Sequence, residues 1–291
     1  MSAGELLPGT PAPMHVWDGA RGVRLAADTW GDPRNPLVVL QHGGGQTRHA
    51  WKHTGQQLGA GGYYAVSFDA RGHGDSTWAP DSDYTEDAMV EDLLCVVSAV
   101  GGTRPVLIGA SLGGITSMIA AGEKHLDAQA LVIVDVAPRV ESHGVERIHR
   151  FMTGRPDGFR SLDEVADAIS AYQPHRPRPA SLDGLAKNLR VGADGRYHWH
   201  WDPRFRPDLR DPFALEPRLS QCVRALTAPT LLVRGAKSDV LSAESVEHFV
   251  ALCPHAQTID VAGAAHMVAA DQNDLFGDAM RGFLARALDR A

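Results

Sequence analysis

The chain has few of the features that mark secreted or membrane proteins. It contains only three cysteines, Cys95, Cys222 and Cys253, and this odd, widely spaced set predicts free thiols in a reducing compartment. No stretch approaches the ~20 apolar residues that a membrane-spanning helix needs. The N-terminus lacks the charged and apolar regions of a signal peptide. We therefore expect a cytoplasmic protein without a membrane span.

Positive charge is also sparse and unclustered. Lys and Arg number 28 against 35 Asp and Glu, for a formal net charge of −7. Because no basic stripe or Lys/Arg block is present, we expect no nucleic-acid partner. The 291 residues are 44% hydrophobic, which is enough to bury a full core and suits one domain with an insertion.

Along most of the chain, short apolar runs alternate with segments whose apolar residues recur at helical spacing and would lie on one face of a helix. Continuous apolar runs of this kind are typical of strands buried on both faces of a parallel sheet. They cover residues 37–40, 65–68, 106–108, 131–134 and 231–233, with a weaker run at 257–261. A helical pattern after Thr85, a predicted N-cap, places Met89 and Leu93 on one face. The alternation predicts an α/β protein with an open, mostly parallel sheet flanked by helices.

One long stretch, residues 138–224, interrupts this alternation. It is rich in proline and contains a capping box at residues 161–164, followed by an amphipathic pattern. Ligands of such sheets bind outside the carboxyl ends of the strands, where this stretch begins. We interpret it as a helical lid inserted after the sixth strand, with a structural extension as the alternative. The predicted core domain is then residues 1–137 and 225–291.

Ser111 lies in the sequence Gly-Ala-Ser-Leu-Gly, directly after an apolar run and before a helical pattern. This strand–turn–helix context is that of a nucleophile elbow. The sharp turn holds the serine in a strained conformation, so Gly109 and Gly113, two positions away on either side, must be small. The start of the next helix leaves free N–H groups beside the serine. The pattern therefore predicts a nucleophile next to half of an anion site.

A serine hydroxyl needs a base to remove its proton and an acid to orient that base. His266 follows the last predicted strand and precedes the closing helix, so it is the predicted base. Asp239 follows the preceding strand and completes the chain order Ser–Asp–His that is typical of this architecture. Asp239 is therefore the predicted acid, and Asp135, at the end of the sixth strand, is its rival.

The second half of the anion site is expected in a glycine-rich loop after the third strand, His42 to Gln46. Glycines let the backbone turn its N–H groups inward and approach a substrate closely. We expect the N–H of Gly44, with Gly45 as the alternative, to bind an oxyanion together with the N–H of Leu112. His42 is interpreted as a structural brace of this loop.

Two further motifs carry histidines. The turn at residues 69–76 is interpreted as structural support, with His73 outside the chemistry. Residues 198–201 read His-Trp-His-Trp, and two histidines without a third ligand are a weak indication of a metal site. We therefore expect no metal and no cofactor, and we expect Trp199 and Trp201 of the lid to line the substrate pocket.

Together these motifs resemble those of the α/β-hydrolase superfamily, over about residues 23–288. Within it the chain is most similar to the branch that holds serine carboxylesterases, cofactor-free haloperoxidases and epoxide hydrolases. The resemblance implies an eight-stranded, mostly parallel sheet with an antiparallel second strand, and a triad of Ser111, His266 and Asp239. The chain departs from the epoxide hydrolases, which have an aspartate nucleophile where it has Ser111.

The predicted function is hydrolysis of a small-molecule carboxylic ester through an acyl-enzyme. Perhydrolase, thioesterase and carbon–carbon bond hydrolase reactions on the same triad are alternatives. A ligand-binding receptor on a hydrolase scaffold is an alternative of another class. The acyl and alcohol groups, and the oligomeric state, are left open by the sequence.

Overall fold

Strands of the computed structural model form one large sheet and one small sheet. The model describes residues 4–174, 176, 178, 182–205, 211, 213–266 and 273–288. Within these residues the strands are β1 (Glu5–Leu6), β2 (His15–Asp18), β3 (Arg24–Trp30), β4 (Leu37–Gln41), β5 (Tyr64–Phe68), β6 (Val106–Ala110), β7 (Ala130–Val134), β8 (Leu189–Val191), β9 (Tyr197–Trp199), β10 (Thr230–Gly235) and β11 (Gln257–Val261).

The large sheet has eight strands in the order β11-β10-β7-β6-β4-β5-β3-β2. The strand β3 runs antiparallel to both of its neighbours, and all the other pairs are parallel. Because β3 is the second of the eight strands along the chain, the predicted mostly parallel sheet with an antiparallel second strand is confirmed. The carboxyl ends of β4, β6, β7, β10 and β11 lie along one edge, where ligands of such sheets bind.

Helices cover both faces of the large sheet. They are α1 (Lys52–Ala60), α2 (Glu86–Ala99), α3 (Leu112–Gly122), α4 (Ser142–Thr153), α5 (Leu162–Tyr172), α6 (Glu216–Ala225), α7 (Ala243–Leu252) and α8 (Asn273–Leu288). Val38 and Leu40 of β4 pack in a cluster with residues of α1 and α8. Val39 packs in a second cluster with residues of α2 and α3. Successive strand residues point to opposite faces, which explains why these strands are continuously apolar.

Local capping agrees with the sequence pattern. The side chain of Thr85 accepts a hydrogen bond from the N–H of Ala88 at the start of α2. Ser161 does the same for Glu164 at the start of α5. Each cap satisfies one of the N–H groups that a helix start leaves without a partner, so both predicted helix starts are confirmed.

The predicted lid segment joins β7 to β10. It contains α4, α5, β8, β9 and α6, whereas residues 175, 177, 179–181, 206–210 and 212 lie outside the described residues. The strands β8 and β9 pair with each other, and β1 from the N-terminal end pairs with β8. The helix α6 packs on α3, where a Cβ on Gly122 would lie 2.5 Å from the Cα of Cys222. The division into core and lid domains stays an interpretation of this arrangement.

The turn interpreted as structural support carries a buried network of ion pairs. Arg48 contacts Asp28 at 3.1 Å, Asp69 at 2.6 Å and Asp75 at 2.8 Å. Arg190 of β8 contacts Asp75 at 2.6 Å. Removing one partner from such a network would leave an uncompensated buried charge. The network therefore fastens the inserted segment to the loop that follows β5.

Candidate active site

Ser111 occupies a strained turn between β6 and α3. Its backbone angles are φ 46° and ψ −109°, and the left-handed region is costly for a residue with a side chain. Two hydrogen bonds hold it there. The Ser111 N–H donates to the carbonyl of Val134 at 3.0 Å, and the Ile115 N–H donates to the carbonyl of Ser111 at 2.9 Å. The predicted strained elbow is therefore present.

The two glycines around the serine have no room for a side chain. A Cβ on Gly109 would lie 2.2 Å from the carbonyl oxygen of Gly113. A Cβ on Gly113 would lie 2.5 Å from the Cβ and carbonyl oxygen of Gln41 in β4. These neighbours are mainly backbone atoms, which cannot rotate away. The predicted need for small residues on either side of Ser111 is confirmed.

His266 contacts the carboxylate of Asp135, with 2.8 Å between Nδ1 and Oδ2. Asp135 is fully buried and directly follows β7. Its Oδ1 accepts a hydrogen bond from the N–H of Gly235 at 2.9 Å, and its Oδ2 accepts one from the Ser238 hydroxyl at 2.5 Å. Three donors thus hold this carboxylate in place. His266 and Ser111 line the same cavity.

Asp239 does not lie at His266, contrary to the prediction. Its two carboxylate oxygens accept hydrogen bonds from Arg147 of α4, at 2.6 and 2.8 Å. Asp239 lies four residues beyond the end of β10, on the side of the inserted helices. The planar guanidinium fork of Arg147 matches a carboxylate in this bidentate geometry. The rival acid, Asp135, occupies the place that the prediction assigned to Asp239.

The physical reason for this correction is the order of strands in the sheet. The strand β7 lies between β6, which leads to Ser111, and β10. A residue immediately after β7 therefore lies at the same edge of the sheet as the loop that carries His266, and its side chain can contact that loop. Chain order does not separate the two acids, because Asp135 and Asp239 both lie between Ser111 and His266 in sequence. The feature of the sequence that distinguishes Asp135 is its position directly after the last residue of a buried strand, whereas Asp239 lies four residues beyond the end of its strand.

The end of β10 positions the loop that carries His266. The N–H groups of Ala236 and Lys237 donate to the carbonyls of Val261 and Ala264, at 3.1 and 2.8 Å. A Cβ on Gly235 would lie 2.3 Å from the carbonyl oxygen of Ala265. Only glycine lets the strand and the loop approach so closely. The same turn thus holds the base-carrying loop and, through Gly235 N–H, the carboxylate of Asp135.

Ser238 has a defined hydrogen-bond direction. Its Oγ accepts hydrogen bonds from the N–H groups of Val240 and Leu241, both at 3.1 Å. Backbone N–H groups can only donate, so the hydroxyl proton of Ser238 points to Asp135. The carboxylate of Asp135 therefore accepts hydrogen bonds from Ser238, Gly235 and His266.

The glycine-rich loop after β4 lies directly against the serine. A Cβ on Gly43 would lie 3.4 Å from the Cβ of Ser111. The Gly43 N–H donates to the side-chain oxygen of Gln46 at 3.0 Å, and Gly45 has φ 73°. Within the described part of the chain, the backbone N–H groups of Gly44 and Leu112 donate no hydrogen bond. Two amides near Ser111 are thus available to a bound group.

Two buried histidines form hydrogen bonds with the carbonyl groups of this loop. The Ala70 N–H donates to Nε2 of His42 at 2.9 Å, so the proton of this ring is on Nδ1 and points to the carbonyl of Gly43 at 2.8 Å. In the same way, the Gly74 N–H donates to Nδ1 of His200 at 2.7 Å, and Nε2 of that ring faces the carbonyl of Gly45 at 3.3 Å. The interpretation of His42 as a brace of the loop is confirmed by these contacts.

Burial keeps these rings neutral. It lowers the pKa of His42 to about 4 and that of His73 to about 3, and it lowers the pKa of His200 well below 6.5. The ring of His73 packs between the other two, with centroids 5.3 Å from His42 and 5.9 Å from His200. A neutral ring can both donate and accept, as His42 and His200 do here.

Acid should destabilise the fold through these histidines. Below pH 6.5 the unfolded chain binds protons that the folded protein does not, so stability falls as pH falls from about 6.5 towards 4. Each ring contributes a slope that rises from about 0.7 kcal/mol per pH unit at pH 6.5, where the unfolded ring is half protonated, to about 1.4 kcal/mol per pH unit near pH 5. We expect His73→Gln to reduce the slope of the unfolding free energy, measured with urea between pH 6.5 and 5, by about that amount.

The control for this prediction is the same comparison between pH 7.5 and 8.5, above the range in which these imidazoles take up protons. There the slopes of His73→Gln and the wild type should agree. Equal slopes between pH 6.5 and 5 as well would show that the ring of His73 takes up its proton in the folded state.

The serine opens into a cavity of about 490 Å³. Most of its wall is apolar, and it lies between the edge of the large sheet and the inserted helices. Trp199 and Trp201 both line it, with their rings stacked at 5.0 Å between centroids. Phe151 of α4 packs against both indoles. Among the described residues, no group of three His, Cys, Asp or Glu side chains could hold a metal ion.

Comparison with known proteins agrees with this geometry. The model of a family described as having the alpha/beta hydrolase fold matches residues 36–272. The chain belongs to this family. The predicted superfamily is therefore confirmed, and the strained Ser111 turn and the His266–Asp135 pair lie within the matched residues.

Relatives of this chain are named as hydrolases and esterases. The 3-hydroxybutyrate-oligomer hydrolase of Cupriavidus necator is 31% identical over 256 residues, which cover 84% of this chain and 87% of the relative. Esterase Rv0045c of Mycobacterium tuberculosis is 28% identical over 283 residues, 95% of this chain and 91% of the relative. These names agree with the predicted ester hydrolase.

Solved structures show the same fold. The crystal structure of E-2-(acetamidomethylene)succinate hydrolase superposes with a TM-score of 0.80 at 21% identity, covering 93% of this chain and 98% of that one. A structure of the Mycobacterium tuberculosis esterase superposes with a TM-score of 0.72 at 27% identity, covering 94% and 93%. No helix in the described part of this chain is long and apolar enough to cross a membrane.

Proposed function

We propose that this protein hydrolyses carboxylic esters through an acyl-enzyme on Ser111, with His266 as the base and Asp135 as the acid that orients it. The observation that carries this proposal is the 2.8 Å contact between His266 Nδ1 and Asp135 Oδ2 in the cavity that Ser111 lines. An imidazole oriented by a carboxylate, in the same cavity as a serine in a strained elbow, is an arrangement suited to activate that hydroxyl for acyl transfer.

Acylation follows from these positions. Ser111 Oγ attacks the carbonyl carbon of the ester while Nε2 of His266 takes its proton. The carbonyl π electrons move to the oxygen, which becomes an oxyanion. In our proposal the N–H groups of Gly44 and Leu112 donate to it, because both lie beside Ser111 without other acceptors. When the tetrahedral intermediate collapses, the leaving alkoxide takes the proton from His266, and the acyl group stays on Ser111.

Deacylation repeats the same steps with water. His266 takes a proton from a water molecule, whose oxygen attacks the acyl carbon, and the proton returns to Ser111 Oγ as the acid leaves. Asp135 contributes in both halves of the reaction. Its contact with Nδ1 keeps the proton on that nitrogen, which leaves the lone pair of Nε2 for the serine, and its negative charge stabilises the imidazolium that forms.

The cavity indicates the size of the substrate. A volume of about 490 Å³ lies in the range of small-molecule sites. Phe205 also lines the cavity. Its ring and the stacked indoles of Trp199 and Trp201 favour an apolar group next to the ester. Because one relative is named as a hydrolase of 3-hydroxybutyrate oligomers, we include a linear dimer of 3-hydroxybutyrate beside p-nitrophenyl esters as a test substrate.

Intact-mass labelling with a fluorophosphonate tests the proposal. The wild-type protein should gain the mass of one phosphonyl group and lose its activity on p-nitrophenyl butyrate. Ser111→Ala should gain no mass. The matched control is Ser98→Ala on the exposed side of α2, which should label and turn over as the wild type does.

Two outcomes would contradict the proposal: labelling of Ser111→Ala, or a wild-type protein that neither labels nor turns over any ester. A burst of one equivalent without steady turnover would favour the ligand-binding receptor. Parallel assays with an acyl thioester, with acetate and peroxide, and with a vinylogous diketone separate the alternative reactions on the same residues.

A further inference from the structure

The wall of the active-site cavity contains a cation that the ester mechanism does not use. Lys187 and Asn188 are the last two residues of a 3-10 helix, Asp183–Asn188, in the inserted segment, and both line the cavity. The charge of Lys187 lowers the pKa of His49, and the charge of Lys52 lowers that of Lys187. Lys187 therefore lies close enough to His49 and to Lys52, at the start of α1, for their charges to interact.

Lys187 has no partner in the protein as far as the structure describes it. It forms no hydrogen bond or ion pair with a described residue, and the charge that acts on it most is the repulsive one of Lys52. The side-chain amide of Asn188 forms no hydrogen bond with a described residue either. The other charged or imidazole side chains of the cavity wall interact with other groups of the protein: Glu86, His149, Arg176, Asp211 and His266.

An unpaired ammonium in a largely apolar cavity is unfavourable. Burial lowers the pKa of Lys187, since it removes water from the charged form. Lys187 is half-buried, and charges that lose part of their hydration in this way are normally paired in proteins. A single negative charge bound next to the ammonium would offset the cost of its desolvation and the repulsion from Lys52. A neutral ester leaves the ammonium unpaired.

We infer that Lys187, together with the amide of Asn188, binds a carboxylate on the substrate. This inference rests on the proposed function, and it names the substrate class as esters that carry a free carboxylate at one end, such as half-esters of dicarboxylic acids or esters of hydroxy acids. One cation and one neutral donor match a monoanion. A carboxylate accepts from both, and charge-assisted hydrogen bonds of this kind are the stronger ones.

Pairs of esters that differ only in charge test this inference. The p-nitrophenyl monoesters of glutaric, adipic and suberic acid carry a free carboxylate, and their methyl p-nitrophenyl diesters do not. For the chain length that spans the site, the wild type should show a higher kcat/KM on the monoester than on the diester. Lys187→Met should lower kcat/KM on that monoester by about 10- to 100-fold, mainly through KM, as for one lost charge-assisted hydrogen bond.

The controls separate charge from structure. On the diesters Lys187→Met should match the wild type, and Lys187→Arg should keep most of the preference for the monoester. Lys52→Met is the matched control, since Lys52 is exposed and does not line the cavity. It should keep the monoester preference of the wild type.

The results distinguish a failure of this inference from a failure of the proposed ester hydrolysis on which it rests. A wild type that hydrolyses the diesters as well as or better than the monoesters at every length would overturn the carboxylate site and leave ester hydrolysis standing. An equal loss on both esters in Lys187→Met, with a preserved ratio, would also overturn it. A wild type that hydrolyses neither ester and does not react with a fluorophosphonate would overturn both.

Discussion

Replacing Ser111 with alanine should lower turnover of a p-nitrophenyl ester by about 10⁶-fold, and replacing His266 with alanine should have an effect of similar size. Ser111 supplies the oxygen that bonds to the acyl carbon, and His266 moves the proton in every step. The buried imidazoles nearest the glycine loop in the described part of the chain, His42 and His73, cannot replace His266 as a base, because burial lowers the pKa of each well below 6.5.

The two substitutions should not be additive. Once the hydroxyl is gone, the imidazole has no proton to remove, so the double variant should be about as slow as either single variant. Steady-state kinetics of the three variants test this, and thermal unfolding confirms that each is folded. A Ser111→Ala variant with wild-type turnover would show that the nucleophile lies elsewhere. A double variant slower by the product of the two factors would show that the groups act independently.

Asp135→Asn should lower turnover by about 10⁴-fold, the size of effect known for the orienting acid of such triads. An asparagine amide can donate to His266, which favours the tautomer with its proton on the wrong nitrogen. It also removes the negative charge that stabilises the imidazolium. The substitution is close in shape, so Gly235 and Ser238 can keep their places around residue 135.

Asp239→Asn is the matched control for this prediction. It changes a carboxylate to the same amide in the neighbouring loop, but that carboxylate binds Arg147 and not His266. We expect a loss in turnover of less than about tenfold, because a partly exposed ion pair contributes little. Comparison of kcat on one ester for the two variants decides the acid. The assignment of Asp135 is wrong if the larger loss falls on Asp239→Asn.

Much of the fold could be predicted because its signals are local. The continuous apolar runs of β4, β6, β7 and β10 required burial on both faces, which a parallel sheet between helices provides. Thr85 and Ser161 marked helix starts by the chemistry of their side chains. The N-terminal strand β1 gave no such signal, since its pairing with β8 depends on a segment that lies more than 180 residues away in sequence.

The candidate site was predictable where function and backbone geometry coincide in one motif. Ser111 and its flanking glycines belong to a single turn whose sterics demand those residue types. The acid has no comparable motif, because any carboxylate that reaches Nδ1 of His266 can serve. The partner of His266 was therefore assigned from chain order, and chain order fits Asp135 and Asp239 equally well.

The sequence by itself determined the elbow at Ser111, the glycine loop against it, and the parallel sheet that brings their strand ends to one edge. Only the tertiary structure decided that Asp135 contacts His266 and that Arg147 holds Asp239 at the inserted helices. It also decided that Lys187 lines the cavity without a partner among the described residues. The physical reason is the separation along the chain of the residues that each interaction joins. Turn sterics and burial act between residues close in the chain, whereas hydrogen bonds and ion pairs depend on which distant side chains the folded strands and helices place within 3 Å.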